Sequence, residues 1–468
     1  MSTTVVQKSG EAVADFLDQG HASTAVTRFK LTAGFVAALV AMNLQFGSVK
    51  AGSGLANTLI YNAANILLLL MTVVLIVNAI GRHDDVGFRA KLLAHDAIYL
   101  VWLGALTTSI VWSVAPLESF RSIVPLAAVW MATLFLHQVP VTDAVRLVVF
   151  AAVAVAFLSL IAVPVMGGEF AYQPVSSTGA PELRGIFDHQ LRLGAFMGLA
   201  IGLVVLAVLN GDTRWVRSRS ATVSVLGFTL LALVLVLSRA RLYVGDAVVA
   251  LLFTVLLSRR GAHKVLSLLA VAAVAFFASM NFAQILSKLE NSGFDTSLTG
   301  RTDIWRRALN GVTDKDLWFG NGFDTFKLPF FDYLYPVHYR ASHAHSSYIQ
   351  ALFETGLIGL FALILLICAQ LWVAWKHSQR CNRFSYSLFL VLYCALGSAT
   401  GLVYTDSRLS PIFGLMLLFL AIESRSPSRS VTADVRLQNA DAVIRRSVVG
   451  GRALTSKQGS VGRETEPI

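Results

Sequence analysis

The sequence predicts an all-α polytopic membrane protein of about 12 transmembrane helices, with a large outer loop containing short helices. Three observations predict it. The chain has 468 residues, 55% hydrophobic and only 14% charged, where ordinary soluble domains carry about 25% charge. Its mean hydropathy is +0.65. Apolar runs of roughly 20 residues, each long enough to cross a bilayer as a helix, recur between residues 29 and 422. Backbone groups in lipid need partners within their own segment, so these runs are read as helices.

Residues 1–28 are polar and small, without the basic n-region and apolar h-region of a cleaved signal, and are read as a cytoplasmic tail. Residues 29–282 carry the first nine spans, at 29–49, 55–80, 92–113, 120–137, 144–166, 191–209, 221–237, 243–257 and 264–282. A Gly-, Pro- and Ser-rich stretch after residue 166 reads as a loop between the fifth and sixth. Residues 283–343 form the long polar loop, and 344–422 hold three more spans near 346–375, 384–404 and 409–422. Residues 423–468 read as a basic, disordered cytoplasmic tail.

Charge orients the bundle. With the N-terminus inside, the inner loops carry 13 Lys and Arg and the short outer loops carry 7. Cytoplasmic loops hold the excess of basic residues, so both termini lie inside and 283–343 faces outward. In a bacterium that places the long loop in the periplasm and the chain in the inner membrane. The net charge of +11 then follows from topology, and nucleic acid is not an expected partner. The three cysteines, Cys368, Cys381 and Cys394, lie in or between the last spans without CxxC spacing, so neither a disulfide nor a metal framework is expected. No internal repeat of 20 to 50 residues and no matched pair of broken helices stands out, which weakens a transporter reading.

Chemistry-bearing residues gather at three places. The loop 283–343 has seven basic and seven acidic residues, so anion binding there requires local clustering. Residues 301–310 suit a short amphipathic helix with Arg301 at its start and Ile304, Trp305, Ala308 and Leu309 on one face. Aromatics follow, including Trp318, Phe319, Phe323, Phe326, Phe331 and Tyr339. They fit interfacial anchors or rings that meet sugar faces, and the two readings are compatible. His343 and His345 then stand beside Ser346 and Ser347 where the loop becomes a helix. Histidine is the side chain best able to remove a proton near neutral pH. A His-x-His zinc site requires further ligands, for which His338, Asp332 and Glu354 have no diagnostic spacing, so no metal is expected. The second place is Ser238-Arg239-Ala240-Arg241, two arginines on the outer side against the charge rule, which points to anion binding. The third is the stretch from Arg184 to Arg192, open to a capped helix or to substrate contact.

Together these residues resemble the O-antigen ligase and Wzy-type polysaccharide polymerase superfamily, most closely exopolysaccharide polymerases of the succinoglycan type. The family pattern of His, a small polar residue, nine residues, Gly, two residues and Gly is met by His345-Ser346, Gly356 and Gly359. Glu354-Thr355-Gly356 resembles the family's acidic step, and Gly300-Arg301 with Ile304-Trp305 its loop helix. Ser238-Arg239 matches a second arginine motif, with Tyr243 in place of the usual Leu. Arg184-Gly185-Ile186-Phe187 with Leu193-Gly194 resembles a softer third motif.

The resemblance implies a lipid-linked-sugar-dependent glycosyltransferase acting on an undecaprenyl-diphosphate-linked oligosaccharide, without metal or other cofactor. It implies His345 as general base with His343 in support, and Arg301 and Arg239 as diphosphate ligands; Arg241, from the outer-side pair, is the third expected diphosphate ligand. Arg184, Arg192, Trp305, Ser346 and Glu354 are expected substrate contacts. Polymerisation of exopolysaccharide or O-antigen repeat units is the expected activity. Ligation to lipid A core is the alternative, and a polysaccharide transporter or flippase the second alternative. Membrane lipid is one expected partner, with flippase and chain-length regulator proteins of the export pathway as others.

Overall fold

The computed structural model describes residues 27–44, 62–74, 94–173, 181–212, 221–258, 301–312, 316–328, 331, 343–381, 383–401, 403–405 and 410–425. The ninth predicted span, residues 283–300, His338 and nearly all of both tails lie outside them. The described chain is helical: α1 27–41, α2 Asn62–Val74, α3 Ala94–Thr108, α4 Pro116–Leu136, α5 Val141–Met166 and the single turn α6 Gly168–Ala171. They are followed by α7 Gln190–Asn210, α8 Ala221–Leu237, α9 Arg241–Leu256, α10 Arg301–Asn310 and α11 Asp316–Phe319, then α12 Ser347–Arg380, α13 Tyr386–Thr400 and α14 Pro411–Arg425. A two-residue ribbon, Tyr172–Gln173 against Glu182–Leu183, closes the link from α6 to α7.

Among the described residues four helices, α4, α5, α7 and α12, are long and apolar enough to cross a membrane. Helices α2, α3, α8 and α13 are apolar but shorter. Outward-facing apolar side chains carry the same message: Val236 is 72% exposed and Phe361 68%. Water penalises such surfaces, while lipid accepts them. The fold is that of an all-α membrane protein.

Helix α7 is the hub. It packs against α5, α8, α9 and α13, and nearly every face of it is buried. Helix α12 packs against α3, α13 and α14. Tyr99, Trp102 and Phe413 meet as edge and stacked rings in the interior between α3 and α14.

Two ends of the bundle are set by polar groups. At the start of α13, buried Glu423 accepts the backbone N–H groups of Tyr386 and Ser387, each at 3.0 Å, and the hydroxyls of Ser385 and Ser387, each at 2.6 Å. A carboxylate there satisfies orphan donors and meets the positive end of the helix dipole. Nearby, Arg425 pairs with buried Asp96 at 2.5 Å. The opposite end of α13, at Gly401, meets the start of α12, where Ser347 donates its N–H to Gly401 O at 3.0 Å. His345 stands at this second end.

The loop between α9 and α12 differs from its sequence reading in one respect. Phe323, Phe326 and Phe331 are not presented to lipid or sugar. All three are buried: Phe323 joins the main core, while Phe326 and Phe331 cluster with Ile304, Ala308, Ala344 and Phe353, the three phenylalanines of this cluster forming a small core of edge-on rings. Trp318 and Phe319 do stay exposed. Segment 319–328 is tied to the α3–α4 turn by Trp112 Nε1–H on Phe319 O (2.8 Å) and to the start of α4 by Ser119 Oγ–H on Phe323 O (2.7 Å) and Ser122 Oγ–H on Asp324 Oδ2 (2.5 Å).

Candidate active site

Residues 301–310 form a helix, as their periodicity predicts, with Ile304 and Ala308 of the predicted face buried but the face turned towards Arg301 and away from Leu309. Arg301, Ile304 and Ala308 face inward at i, i+3 and i+7, while Leu309 is exposed. A guanidinium thus joins the inner face in place of the Leu309 side chain. Trp305 turns its indole N–H to Ala344 O at 2.7 Å, and Ala344 N–H donates to Gln350 Oε1 at 2.8 Å. Both backbone groups of Ala344 are therefore pinned, and its neighbours on either side are the two histidines.

His345 has a φ of 53° and Arg239 a φ of 52°, two of three non-glycine residues at positive φ among the described residues. Non-glycine residues enter this region at a cost and remain there when their surroundings force it. Two nominated residues thus occupy strained turns. The His343 and His345 rings lie 4.2 Å apart between centroids, tilted by 57°. Among the described residues no third His, Cys, Asp or Glu joins them as a metal-ligand set. Burial pushes the His345 imidazole well below its ordinary range, and the neighbouring His343, Arg301 and His189 add to the effect. Its ring is neutral at pH 7, the form that accepts a proton.

His189 did not stand out in the sequence. It caps α7, its Nδ1 accepting the N–H of Leu191 at 3.1 Å. Burial lowers its pKa to about 4, against a raising effect from Asp188 and lowering effects from Arg192, Arg301 and Arg184. Arg301 acts on both His189 and His345, so α7, α10 and α12 converge at one charged cluster.

Arg239 reaches the same end of the bundle by another route. The Ser238–Ala240 turn rests on Gly194 in α7, where an added Cβ would strike Ala240 Cβ and sit 2.7 Å from Ser238 Oγ. Arg239 itself is exposed beyond that turn, and Arg241 is exposed at the first position of α9. Arg184 is held within the α6–α7 link: its Nε–H donates to Phe170 O at 2.7 Å and its guanidinium lies 5.3 Å from the Phe170 ring. Arg192 pairs with Asp188 at 2.7 Å and donates to Asn43 Oδ1 at 3.2 Å. Ser346 donates to Ser398 O at 3.4 Å. Glu354 is fully buried; it accepts from Gln350 Nε2 at 2.5 Å and from Phe326 N–H at 3.2 Å. The structure therefore gives Arg184, Arg192, Trp305 and Glu354 framework partners, and gathers His345, His343 and Arg301 with His189.

A pH effect follows from the two buried rings. His345 and His189 bind protons more weakly in the fold than in an unfolded chain, where histidine titrates near 6.5. Their contribution to stability is whole above about pH 6.5 and is lost as the pH falls below it, because the unfolded state then binds more protons. Thermal melts of the detergent-solubilised protein from pH 7.5 to 5 are expected to show a falling melting temperature. His189→Asn keeps an N-cap acceptor and is expected to reduce the drop; an equal drop would remove His189 as a contributor.

A polytopic helical membrane protein that gathers three histidines and a buried arginine at one end of its bundle is the class that the fold and site define. Residues 226–364 match the family model described as O-Antigen ligase (Wzy_C). The chain is also 28% identical over 299 residues to the Exopolysaccharide production protein ExoQ of Rhizobium meliloti (strain 1021). That match covers 59% of this chain and 65% of ExoQ, so the chain spans a little under two thirds of that relative. Both findings support the resemblance to the O-antigen ligase and Wzy-type superfamily. The family segment begins in α8 and ends in α12, so it contains Arg239, Arg241, Arg301, Trp305, His343, His345, Ser346 and Glu354.

Proposed function

We propose that the protein polymerises undecaprenyl-diphosphate-linked oligosaccharide repeat units into exopolysaccharide or O-antigen at the periplasmic face of the inner membrane. The observation that carries this reading is the strained His345 turn beside buried Arg301, inside the segment that matches the O-antigen ligase family. A sugar hydroxyl of the acceptor attacks the anomeric carbon of the donor. The new C–O bond forms as the bond from that carbon to the diphosphate oxygen breaks, and its electron pair leaves on the diphosphate. His345 takes the hydroxyl proton, with His343 in support. Arg301 and Arg239, joined by Arg241, hold the leaving diphosphate; guanidinium groups bind phosphate oxygens by charge-assisted, often bidentate, bonds. These cations supply the charge compensation that a metal would otherwise bring. A single displacement inverts the anomeric centre. Neutral His345 suits the role, and an arriving diphosphate offsets the Arg301 charge that weakens its basicity.

The description of the family model favours one second reading, transfer of a finished glycan to lipid A core as a ligase. The chemistry is shared and the acceptor differs. Flippase and chain-length regulator proteins are the partners that either role needs for supply and length control. Deletion of the gene followed by analysis of surface and lipid-linked glycans tests both. Polymerase action predicts loss of long chains with single repeat units retained; ligase action predicts long chains stranded on the carrier lipid. Unchanged glycans of both kinds would sink the proposal.

A further inference from the structure

His343, Ala344 and His345 form the turn that enters α12, and the middle residue offers two polar handles, both of them backbone groups. The Ala344 N–H lies in the peptide that joins it to His343, and the Ala344 carbonyl in the peptide that joins it to His345. Each is held by a different side chain: Gln350 Oε1 accepts the N–H at 2.8 Å, and Trp305 Nε1–H donates to the carbonyl at 2.7 Å. Behind Gln350 stands Glu354, one turn further along α12, where residues four apart share a face. Gln350 is 2% exposed and Glu354 is fully buried. Glu354 Oε1 accepts Gln350 Nε2–H at 2.5 Å and the Phe326 N–H at 3.2 Å. The Glu354 main chain is fixed as well, its carbonyl accepting Gly322 N–H at 2.7 Å. One hydrogen-bonded line thus runs from segment 319–328 through Glu354, Gln350 and Ala344 to Trp305 on α10, the helix that begins with Arg301.

A glutamine amide has a donor end and an acceptor end, and a half-turn about its last bond exchanges them. Only one of the two orientations serves Ala344, whose N–H needs the oxygen. The other would set two donors against each other. Glu354 Oε1, which also receives the Phe326 N–H, accepts only, so it draws the amide nitrogen to its own side and leaves the oxygen for Ala344. A turn that holds a histidine at φ 53° needs such external ties, because the residue's own preference lies elsewhere. We propose that Glu354 is a positioning residue for the transfer: it fixes the orientation of the Gln350 amide, and through it the His343–His345 turn relative to α10 and Arg301. This rests on the glycosyl-transfer reading above, in which those residues are the base and a diphosphate ligand. It replaces the expectation that Glu354 touches substrate with a task inside the protein.

The test measures glycan extension by the full chain in lipid vesicles, with lipid-linked repeat units extracted from host membranes as substrate, and separates kcat from KM. Glu354→Leu keeps the bulk without an acceptor. It is expected to lower kcat by roughly tenfold to a hundredfold, the effect of misplacing a reacting group by about 1 Å, and to leave KM unchanged. Gln350→Met breaks the same line one step nearer the turn and is expected to do the same. Glu354→Gln is expected to recover most of the lost kcat. Its amide oxygen meets the Phe326 N–H and the Gln350 amide, and its nitrogen replaces Oε2, which has no hydrogen-bond partner among the described residues. Glu354→Leu combined with Gln350→Met is expected to lose no more than the more damaged single variant, because both act on one line. Losses that multiply in the combined variant overturn the proposal. So does a KM that rises in Glu354→Leu and Glu354→Gln alike, since the carboxyl would then meet substrate. Should Glu354→Leu not accumulate, the other two single variants decide: lowered kcat in Gln350→Met with most of it kept in Glu354→Gln upholds the role, and any other pair of results overturns it. If His345→Asn extends glycans normally, the transfer reading fails and this role falls with it. If His345→Asn is inactive while Glu354→Leu and Gln350→Met extend like wild type, the positioning role alone is overturned.

Discussion

If the proposed glycosyl transfer holds, replacing His345 with alanine is expected to lower it by about two to four orders of magnitude, the range lost when a positioned general base is removed, while the protein still accumulates in the membrane. The imidazole sits at a backbone position with φ 53°, pinned through Ala344 by Trp305 and Gln350. Alanine tolerates that conformation poorly, so a second variant separates chemistry from folding. Asparagine is among the few residues that enter the left-handed region readily, and it carries no base. His345→Asn is therefore expected to match the wild type in membrane level and melting temperature and to match His345→Ala in lost transfer. Transfer is measured in isolated membranes by the lengthening of lipid-linked glycans. Wild-type turnover in the asparagine variant would remove His345 from the base role.

The elements that were legible in the sequence are those that period and length determine. The amphipathic repeat predicts a helix over 301–310, and α10 runs from Arg301 to Asn310; apolar length predicts a span over 221–237, and α8 runs from Ala221 to Leu237. Apolar length marks a span regardless of its neighbours, and an amphipathic repeat marks a short helix. Rotation about the axis is another matter. The apolar pattern turns Leu309 inward and assigns Arg301 no face, whereas the arginine is buried and the leucine exposed. That choice is made by the residues α10 meets, Ala344 and Phe353, which lie more than 30 positions away. His189 is hard to find in the sequence for a related reason. Its sequence surroundings mark a helix start, but histidine is not among the usual caps, and its nearness to Arg301 and His345 is created by tertiary packing. The loop phenylalanines misled because an aromatic in a polar stretch has no period, and Phe326 and Phe331 find Phe353 only once the loop folds back.

The glycines of the family motif are a different case, since their spacing was visible and their task was not. Gly356 interrupts α12 with φ 65° and ψ −165°, a region essentially reserved for glycine. The break leaves carbonyls without helical partners, and segment 319–322 takes them. Phe353 O accepts Asn321 N–H and its side-chain amide, each at 3.1 Å, and Glu354 O accepts Gly322 N–H at 2.7 Å. The motif therefore docks the aromatic loop onto the helix that His345 precedes. Gly356→Ala meets two obstacles at once. The backbone conformation costs an alanine about 1–3 kcal/mol, and its Cβ would run into the main chain of Trp318 and Phe319, which cannot rotate away as a side chain can. The expected result is a melting temperature several degrees lower, with faster proteolysis within 316–328 as the segment loses its seat. Gly104→Ala, in α3 with nothing within 4 Å of the added methyl, is the matched control and leaves the melting temperature equal or slightly raised. Transfer should fall in Gly356→Ala even where protein level is restored, because the same segment packs against the α10 face that carries Arg301. A Gly356→Ala protein with wild-type melting temperature and wild-type transfer would mean that this glycine does not hold the loop to the site.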